Sequence, residues 1–105
     1  MAFFVFVRFK VKSGRVQDFL KELEIAAKST RTEIGCIQYE YAIDAADENA
    51  VILFEKYIDQ PAFEVHRSMD YLKSFRAKVT ELFDGEPLII RGEQHISNLH
   101  KSLIS

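Results

Sequence analysis

The side chains best suited to proton chemistry in this 105-residue chain lie close to Glu55 and His66. Glu55 interrupts an apolar, strand-like run, and an inward carboxylate costs free energy unless it is paired. Tyr57 has the same parity as Glu55, so the two side chains would share one face of a strand. His66 follows Phe63 on the inner side of a helical segment, and a neutral imidazole is suited to removing a phenolic or enolic proton. The pattern predicts a site of acid–base chemistry.

Each of these residues also has a purely structural interpretation, which the pattern leaves open. His66 could be a hydrogen-bonded histidine at the edge of the core, and Glu55 could be solvated near the end of its strand. Tyr57 could simply pack against the sheet. Tyr39 and Tyr41 share a strand face and are interpreted as core or interface residues.

No metal or organic cofactor is expected. Cys36 is the single cysteine and is interpreted as a small buried hydrophobic residue. His95 and His100 are five residues apart, a poor spacing for one face of a helix. The chain has no glycine-rich phosphate-binding loop, so nothing indicates a flavin, a nicotinamide or a nucleotide.

The elements that must position these residues follow from hydrophobic periodicity. Alternating apolar residues predict strands, a 3.6-residue stripe predicts helices, and Asp59 followed by Pro61 predicts a helix start. The order is β-α-β-β-α-β, which is a ferredoxin-like α+β fold with an antiparallel four-stranded sheet. The predicted strands are 3–11, 36–43, 50–58 and 87–92, and the predicted helices are 13–32 and 59–84, the latter with a kink at 68–70.

The first strand predicts an association with a second copy of the chain. Phe3, Val5 and Val7 form one apolar face, and Phe4 and Phe6 make the opposite face apolar as well. A strand that is apolar on both faces is covered on both sides. Since closed two-fold dimers are the commonest soluble assembly, we expect a homodimer.

Composition limits the remaining possibilities. The chain has 14 basic and 16 acidic residues, a net charge of −2, so no basic surface for nucleic acid is expected. No apolar run is long enough to cross a membrane, and one unpaired cysteine favours a cytoplasmic location. We expect one domain over 1–93 and an amphipathic tail over 94–105 that packs on the domain or on a partner.

Three segments, in order and at matching spacing, resemble the antibiotic biosynthesis monooxygenase (ABM) domain family. Segment 33–40 is similar to the family's E-x-G-C-x-x-Y motif. Segment 53–66 is similar to its strand-Glu, aromatic, Asp, helix, His pattern, and segment 12–19 to its K-x-G-x-x-x-x-F helix entry. The resemblance covers residues 3–92 and implies a dimeric α+β barrel, in which the sheets of two chains face each other.

The resemblance implies a cofactor-free monooxygenase that oxidises a small quinol or polyphenol with O2. His66 occupies the position of the family histidine and would be the base, with Glu55 beside it as the second catalytic residue. Many members carry a second histidine where this chain has Tyr71, which is a poor base near neutral pH. The residues expected to contact the substrate are Tyr57, Phe63, Tyr71 and Arg91.

Other activities stay open at this stage. The family includes an isomerase of phosphorylated autoinducer-2, whose phosphate would need a cation such as Arg91 or Lys56. A dimeric ligand-binding module without turnover is also possible. Haem degradation is disfavoured, because the chain lacks tryptophan, has no asparagine in 3–11 and has no histidine in 70–84.

Overall fold

The computed structural model describes residues 1–96 and confirms the predicted ferredoxin-like α+β fold. The four strands form one antiparallel sheet in the order β2-β3-β1-β4, and the helices cover one face of it. A short 3-10 turn over Thr80–Leu82 follows the last helix. The elements are β1 (Phe3–Lys10), α1 (Val16–Thr30), β2 (Cys36–Ile43), β3 (Ala50–Tyr57), α2 (Gln60–Arg67), α3 (Asp70–Val79) and β4 (Leu88–Glu93).

The core lies between the inner face of the sheet and the helices. Val5 on β1 pairs with Glu55 on β3 and with Arg91 on β4, so these three side chains share the inner face. Phe19 on α1 packs against Phe9, with ring centroids 4.9 Å apart. Glu55 is a buried carboxyl group on the inner face of the sheet, and Arg91 lies on the same side but is exposed on the edge strand β4.

Most element boundaries lie within three residues of the sequence prediction, but α3 ends at Val79, five residues before the predicted end at 84, and the 3-10 turn follows it. Helix α1 begins at Val16 rather than at 13, because Gly14 adopts a φ of +82° in a tight turn before it. The first strand ends at Lys10, and Val11 makes only an isolated bridge to Phe83. The last strand begins at Leu88, one residue later than predicted.

The predicted interruption of the second helical segment is confirmed. Ser68 and Met69 separate α2 from α3. The predicted start of α2 is also confirmed, because an Asp59 carboxylate oxygen accepts a hydrogen bond from the Ala62 backbone N–H at 2.9 Å. Such a cap satisfies one of the free donors at a helix N-terminus.

The outer face of the sheet is strongly apolar and is open in the single chain. Phe6 is 50% exposed, and its ring packs against Phe54 on β3 with centroids 4.9 Å apart. The helices cover the inner face of β1, so a partner chain would be needed to cover its outer face. The apolar residues of this outer face are Phe4, Phe6, Ile52, Phe54, Leu88 and Ile90.

The predicted tail falls mostly outside the described residues. After β4, the Gln94 backbone N–H donates to the Ala2 carbonyl at 2.7 Å, and Ile96 is exposed. The amphipathic helix predicted for the tail lies on residues outside the described part of the chain. Among residues 1–96, none of the helices combines the length and apolar character that crossing a membrane requires.

Candidate active site

His66 lies between two carboxylates. Helix α2 places it on its buried side, where it is 2% exposed. Its Nδ1 is 2.9 Å from an Oε2 atom of Glu33, and its Nε2 is 3.6 Å from an Oε1 atom of Glu55. A buried imidazole with both nitrogens directed at carboxyl groups has a fixed ring orientation.

Glu33 was missed as a site residue by the sequence analysis. It lies in the loop between α1 and β2, and its side chain is 10% exposed. Its Oε2 atom also accepts a hydrogen bond from the Tyr71 hydroxyl, which lies 3.1 Å from Thr30 Oγ1. The signal was the glutamate of the E-x-G-C-x-x-Y segment, to which no role was assigned.

Two features hold the Glu33 loop against its neighbours. The Arg31 guanidinium donates twice to the Tyr39 carbonyl, at 2.7 and 3.0 Å, which ties the end of α1 to β2. At Gly35, an added Cβ would lie 2.5 Å from Cβ of Ala62 on α2. Glycine is therefore needed there for the loop to approach α2, which places Glu33 beside His66.

Glu55 is a buried carboxyl group on the inner face of β3. The Tyr57 hydroxyl donates to its Oε1 atom at 2.5 Å. Burial raises the pKa of Glu55, while the Tyr57 hydrogen bond and the neighbouring His66 oppose that rise. Burial and the Glu55 carboxyl together raise the pKa of Tyr57, so the phenol remains a hydrogen-bond donor.

The hydrogen bonds assign one tautomer to a neutral His66. Glu33 is an acceptor, so Nδ1 carries the proton and donates it to the carboxylate. Nε2 then keeps its lone pair on the side of Glu55. In this arrangement Nε2 is free to accept a proton, and Glu33 stabilises the imidazolium that forms.

A cavity of about 740 Å³ lies beside His66, between the inner face of the sheet and α3. The buried polar residues of its lining are Glu55, His66 and Tyr39, and Tyr39 is 2% exposed. Its volume is within the usual range for small-molecule sites. The apolar residues of the lining are Val5, Val7, Phe9, Leu53, Phe63, Leu72, Phe75, Val79, Phe83, Pro87 and Ile89.

The four residues expected to contact a substrate fall into two groups. Phe63 and Arg91 line the cavity. Tyr57 and Tyr71 do not line it; their hydroxyls bond to Glu55 and Glu33 instead. Substrate contact by these two tyrosines therefore stays a prediction.

Lys56 lies on the opposite face of the sheet from the cavity, so it cannot bind a substrate phosphate there. Its parity puts it on the outer face of β3, where its Nζ lies 5.7 Å from the centroid of the Phe4 ring. Arg91 is on the inner face, opposite Val5. Of the two cations considered from the sequence, only Arg91 lies at the cavity.

Cys36 is half-buried, and burial and the nearby Glu33 raise the pKa of its thiol to about 11. A thiol of that pKa is a poor nucleophile near neutral pH. Over residues 1–96, no group of three or more histidine, cysteine, aspartate and glutamate residues has a geometry that could hold a metal ion.

Known proteins show the same sequence pattern and the same fold. A protein of Bacillus subtilis (strain 168), named "Putative monooxygenase YcnE", is 30% identical over 84 residues, 80% of this chain and 88% of its own. The solved structure of Rv0793 from Mycobacterium tuberculosis has a TM-score of 0.85 at 23% identity, covering 93% of this chain and 99% of that one. A conserved protein from Methanosarcina mazei Go1 has a TM-score of 0.87 at 23% identity, covering 90% and 94%.

The chain also matches the model of a protein family over most of the domain. The model of the antibiotic biosynthesis monooxygenase family matches residues 2–78, from β1 to the end of α3. The matched segment includes Glu33, Glu55 and His66, the three residues of the buried cluster. This chain therefore belongs to the antibiotic biosynthesis monooxygenase (ABM) family.

Proposed function

We propose that this chain is a cofactor-independent monooxygenase that oxidises a small quinol or polyphenol with O2. The observation that carries the proposal is the orientation of His66, with Nδ1 bonded to Glu33 and Nε2 facing Glu55 beside an apolar cavity. An electron-rich phenolate reacts with O2 itself once the proton is removed. The protein then needs a base, a dry pocket and groups that stabilise charge.

The reaction balances with the quinol and O2 alone. His66 Nε2 takes a phenolic proton, and the anion gives one electron to O2. The resulting radicals combine at a ring carbon, and proton transfer to the bound oxygen gives a hydroperoxide. Loss of water then breaks the O–O bond and the C–H bond at that carbon. A ring C–H becomes C=O, the quinol becomes a hydroxyquinone after tautomerisation, and one oxygen atom leaves as water. The quinol supplies all four electrons.

Each polar residue has a separate role in this proposal. Glu33 orients the imidazole and stabilises its cation, and Tyr71 holds Glu33. Glu55, held by Tyr57, lies where it can exchange a hydrogen bond with a substrate hydroxyl. Phe63 and the other apolar lining residues exclude water, which strengthens these interactions.

A second candidate is an isomerase of a small phosphorylated compound. The observation in its favour is that Arg91 and His66 line the same cavity, so a phosphate and an enolisable carbon could be bound together. Isomerisation consumes no O2. Oxygen uptake therefore separates the two activities, and the absence of turnover on both substrate classes would favour a ligand-binding module.

We also propose that two copies pair through the outer face of the sheet. The support is its apolar character, with Phe6, Leu88 and Ile90 each half-exposed or more. An open patch of this kind is typical of an interface. Light scattering at micromolar concentration should give twice the mass of the 12.2 kDa chain. Deleting residues 95–105, the predicted covering arm, should lower thermal stability or weaken the pairing.

The activity is tested by oxygen uptake with metal-free protein and a panel of reduced quinols. His66→Ala should lower turnover about 10²–10⁴-fold, the usual contribution of a general base. His66→Gln tests the same point with less loss of packing. His95→Ala is the matched control, because His95 is exposed and does not line the cavity. Wild-type turnover in folded His66 variants would contradict the proposed base.

A further inference from the structure

The cavity carries more positive than negative side chains, although the chain as a whole is negatively charged. Three arginines line it, Arg67 from α2, Arg76 from α3 and Arg91 from β4. The acidic residues of the lining are Glu55 and Glu86. The net charge of the chain is −2. The lining therefore has an excess of one positive side chain, which favours anions over cations.

Two of these arginines are held over the same aromatic ring. The guanidinium carbon of Arg91 lies 5.4 Å from the centroid of Phe63, and that of Arg67 lies 5.8 Å from it. Phe63 is 6% exposed, so the ring is a fixed part of the core. Stacking restrains each guanidinium group and leaves its N–H donors available at the edge.

The two arginines differ in their carboxylate partners. Arg67 has one exposed partner, Glu64, at 3.7 Å. Within residues 1–96, no carboxylate oxygen lies within 4.0 Å of an Arg91 or Arg76 nitrogen. Arg91 is near enough to Glu55 to oppose the rise of that carboxyl's pKa, but it forms no ion pair with it in the described protein. A guanidinium group at a cavity without an ion-paired carboxylate is suited to binding an oxyanion.

Arg91 and the proposed base, His66, both lie near the Phe63 ring. The Phe63 centroid is 6.3 Å from the His66 ring and 5.4 Å from the Arg91 guanidinium carbon. Both residues also line the same cavity, so a substituted aromatic molecule bound there could contact both.

We propose that the substrate is an aromatic oxyanion, a phenol that also carries a carboxylate or phosphate group. Arg91, assisted by Arg67, binds the oxyanion, and the reacting hydroxyl points to His66. The inference rests on the proposed function, because it identifies the substrate class of that same cavity. The aromatic phenol belongs to the monooxygenase activity, and the isomerase candidate shares only the binding of an oxyanion by Arg91.

The test is a binding experiment that requires no turnover. Calorimetry compares three unreactive probes of similar shape: 1-naphthoate, 1-naphthyl phosphate and the neutral 1-naphthalenemethanol. At low ionic strength we expect one of the two anions to bind about 10- to 150-fold tighter than the alcohol, the range for hydrogen bonds to charged groups. The anion that binds tighter identifies the oxyanion.

Variants connect the preference to the two arginines. Arg91→Gln should remove most of the advantage of the anion, and Arg67→Gln should remove part of it, with little effect on the neutral alcohol. Arg15→Gln is the matched control, because Arg15 is paired with Asp18 at the start of α1 and does not line the cavity. Near-equal affinities for all three probes, or an anion preference unchanged in Arg91→Gln, would overturn the inference.

The outcome is separable from that of the oxygen-uptake experiment. Anion binding lost in Arg91→Gln, without turnover of any quinol, would support this inference and contradict the monooxygenase. Turnover of neutral quinols that depends on His66, without any anion preference, would support the monooxygenase and refute the inference.

Discussion

Glu33→Gln is the most informative substitution in the proposed site, because it removes one negative charge and keeps the shape of the side chain. In the wild type, Glu33 accepts hydrogen bonds from His66 Nδ1 at 2.9 Å and from the Tyr71 hydroxyl. The amide oxygen of glutamine has two lone pairs and can still accept both hydrogen bonds. It cannot stabilise the positive charge that appears on the imidazole when Nε2 takes a proton.

The expected loss follows from that contact. A hydrogen bond to a charged group contributes about 1.5–3 kcal/mol. Glu33 and His66 form a pair of opposite charges only when the imidazole is protonated. Removing the Glu33 charge should therefore raise the free energy of the transition state more than that of the bound substrate. At about 1.4 kcal/mol per decade, kcat should fall about 10- to 150-fold. KM should change little, because Glu33 does not line the cavity.

The assay combines kinetics with a measurement on the histidine itself. Oxygen uptake gives kcat and KM for Glu33→Gln and for Glu81→Gln, an exposed control outside the cavity. Nitrogen-15 NMR of the imidazole reports which ring nitrogen carries the proton. The wild type should show the Nδ1–H tautomer, and Glu33→Gln should show a mixture, because an amide can either accept from or donate to Nδ1.

Two results would refute the reasoning. One is a folded Glu33→Gln variant with wild-type kcat. The other is an Nε2–H tautomer in the wild type, which would leave no lone pair on the side of the cavity. A fall in kcat that occurs equally in Glu81→Gln would assign the effect to the overall charge of the protein.

Three further predictions follow from burial and packing. Because burial raises the pKa of Glu55, its contribution to stability is complete below the ordinary value of 4.5 and declines as the pH rises through the raised pKa. The melting temperature of Glu55→Gln should therefore rise relative to wild type from about pH 4.5 towards neutrality, and a constant difference would contradict this. Gly35→Ala places a Cβ 2.5 Å from Ala62 Cβ and should lower the free energy of unfolding by about 1–3 kcal/mol. Gly92→Ala, which meets no atom within 4 Å, is its control in thermal unfolding. Phe6→Glu should convert the proposed dimer to a monomer in light scattering, and an unchanged mass would exclude this face as the interface.

The sequence by itself predicted the elements and their order. Alternation in β1 and the apolar stripe of α1 are local patterns, and each strand or helix displays them within its own residues. The same local rule placed Glu55 and Tyr57 on one face of β3 and put His66 on the inner side of α2. Family resemblance then indicated which of these polar residues to examine.

Periodicity did not predict how the polar residues pair. Glu33 and His66 are 33 positions apart, and they meet because Gly35 lets the loop after α1 approach α2. The hydrogen bonds from the Tyr71 and Tyr57 hydroxyls to Glu33 and Glu55 were also not predicted from the sequence.

The presence of three arginines at one cavity could also be found only from the tertiary structure. Arg67, Arg76 and Arg91 come from three different elements, and no short window of sequence contains them together. The order β2-β3-β1-β4 puts β4, and with it Arg91, at the edge of the sheet beside β1, while Arg67 and Arg76 come from the helices packed on that face. Local periodicity determines which way a side chain points within its own element. Which side chains meet is decided by long-range packing, because contacts between elements depend on the arrangement of the whole chain.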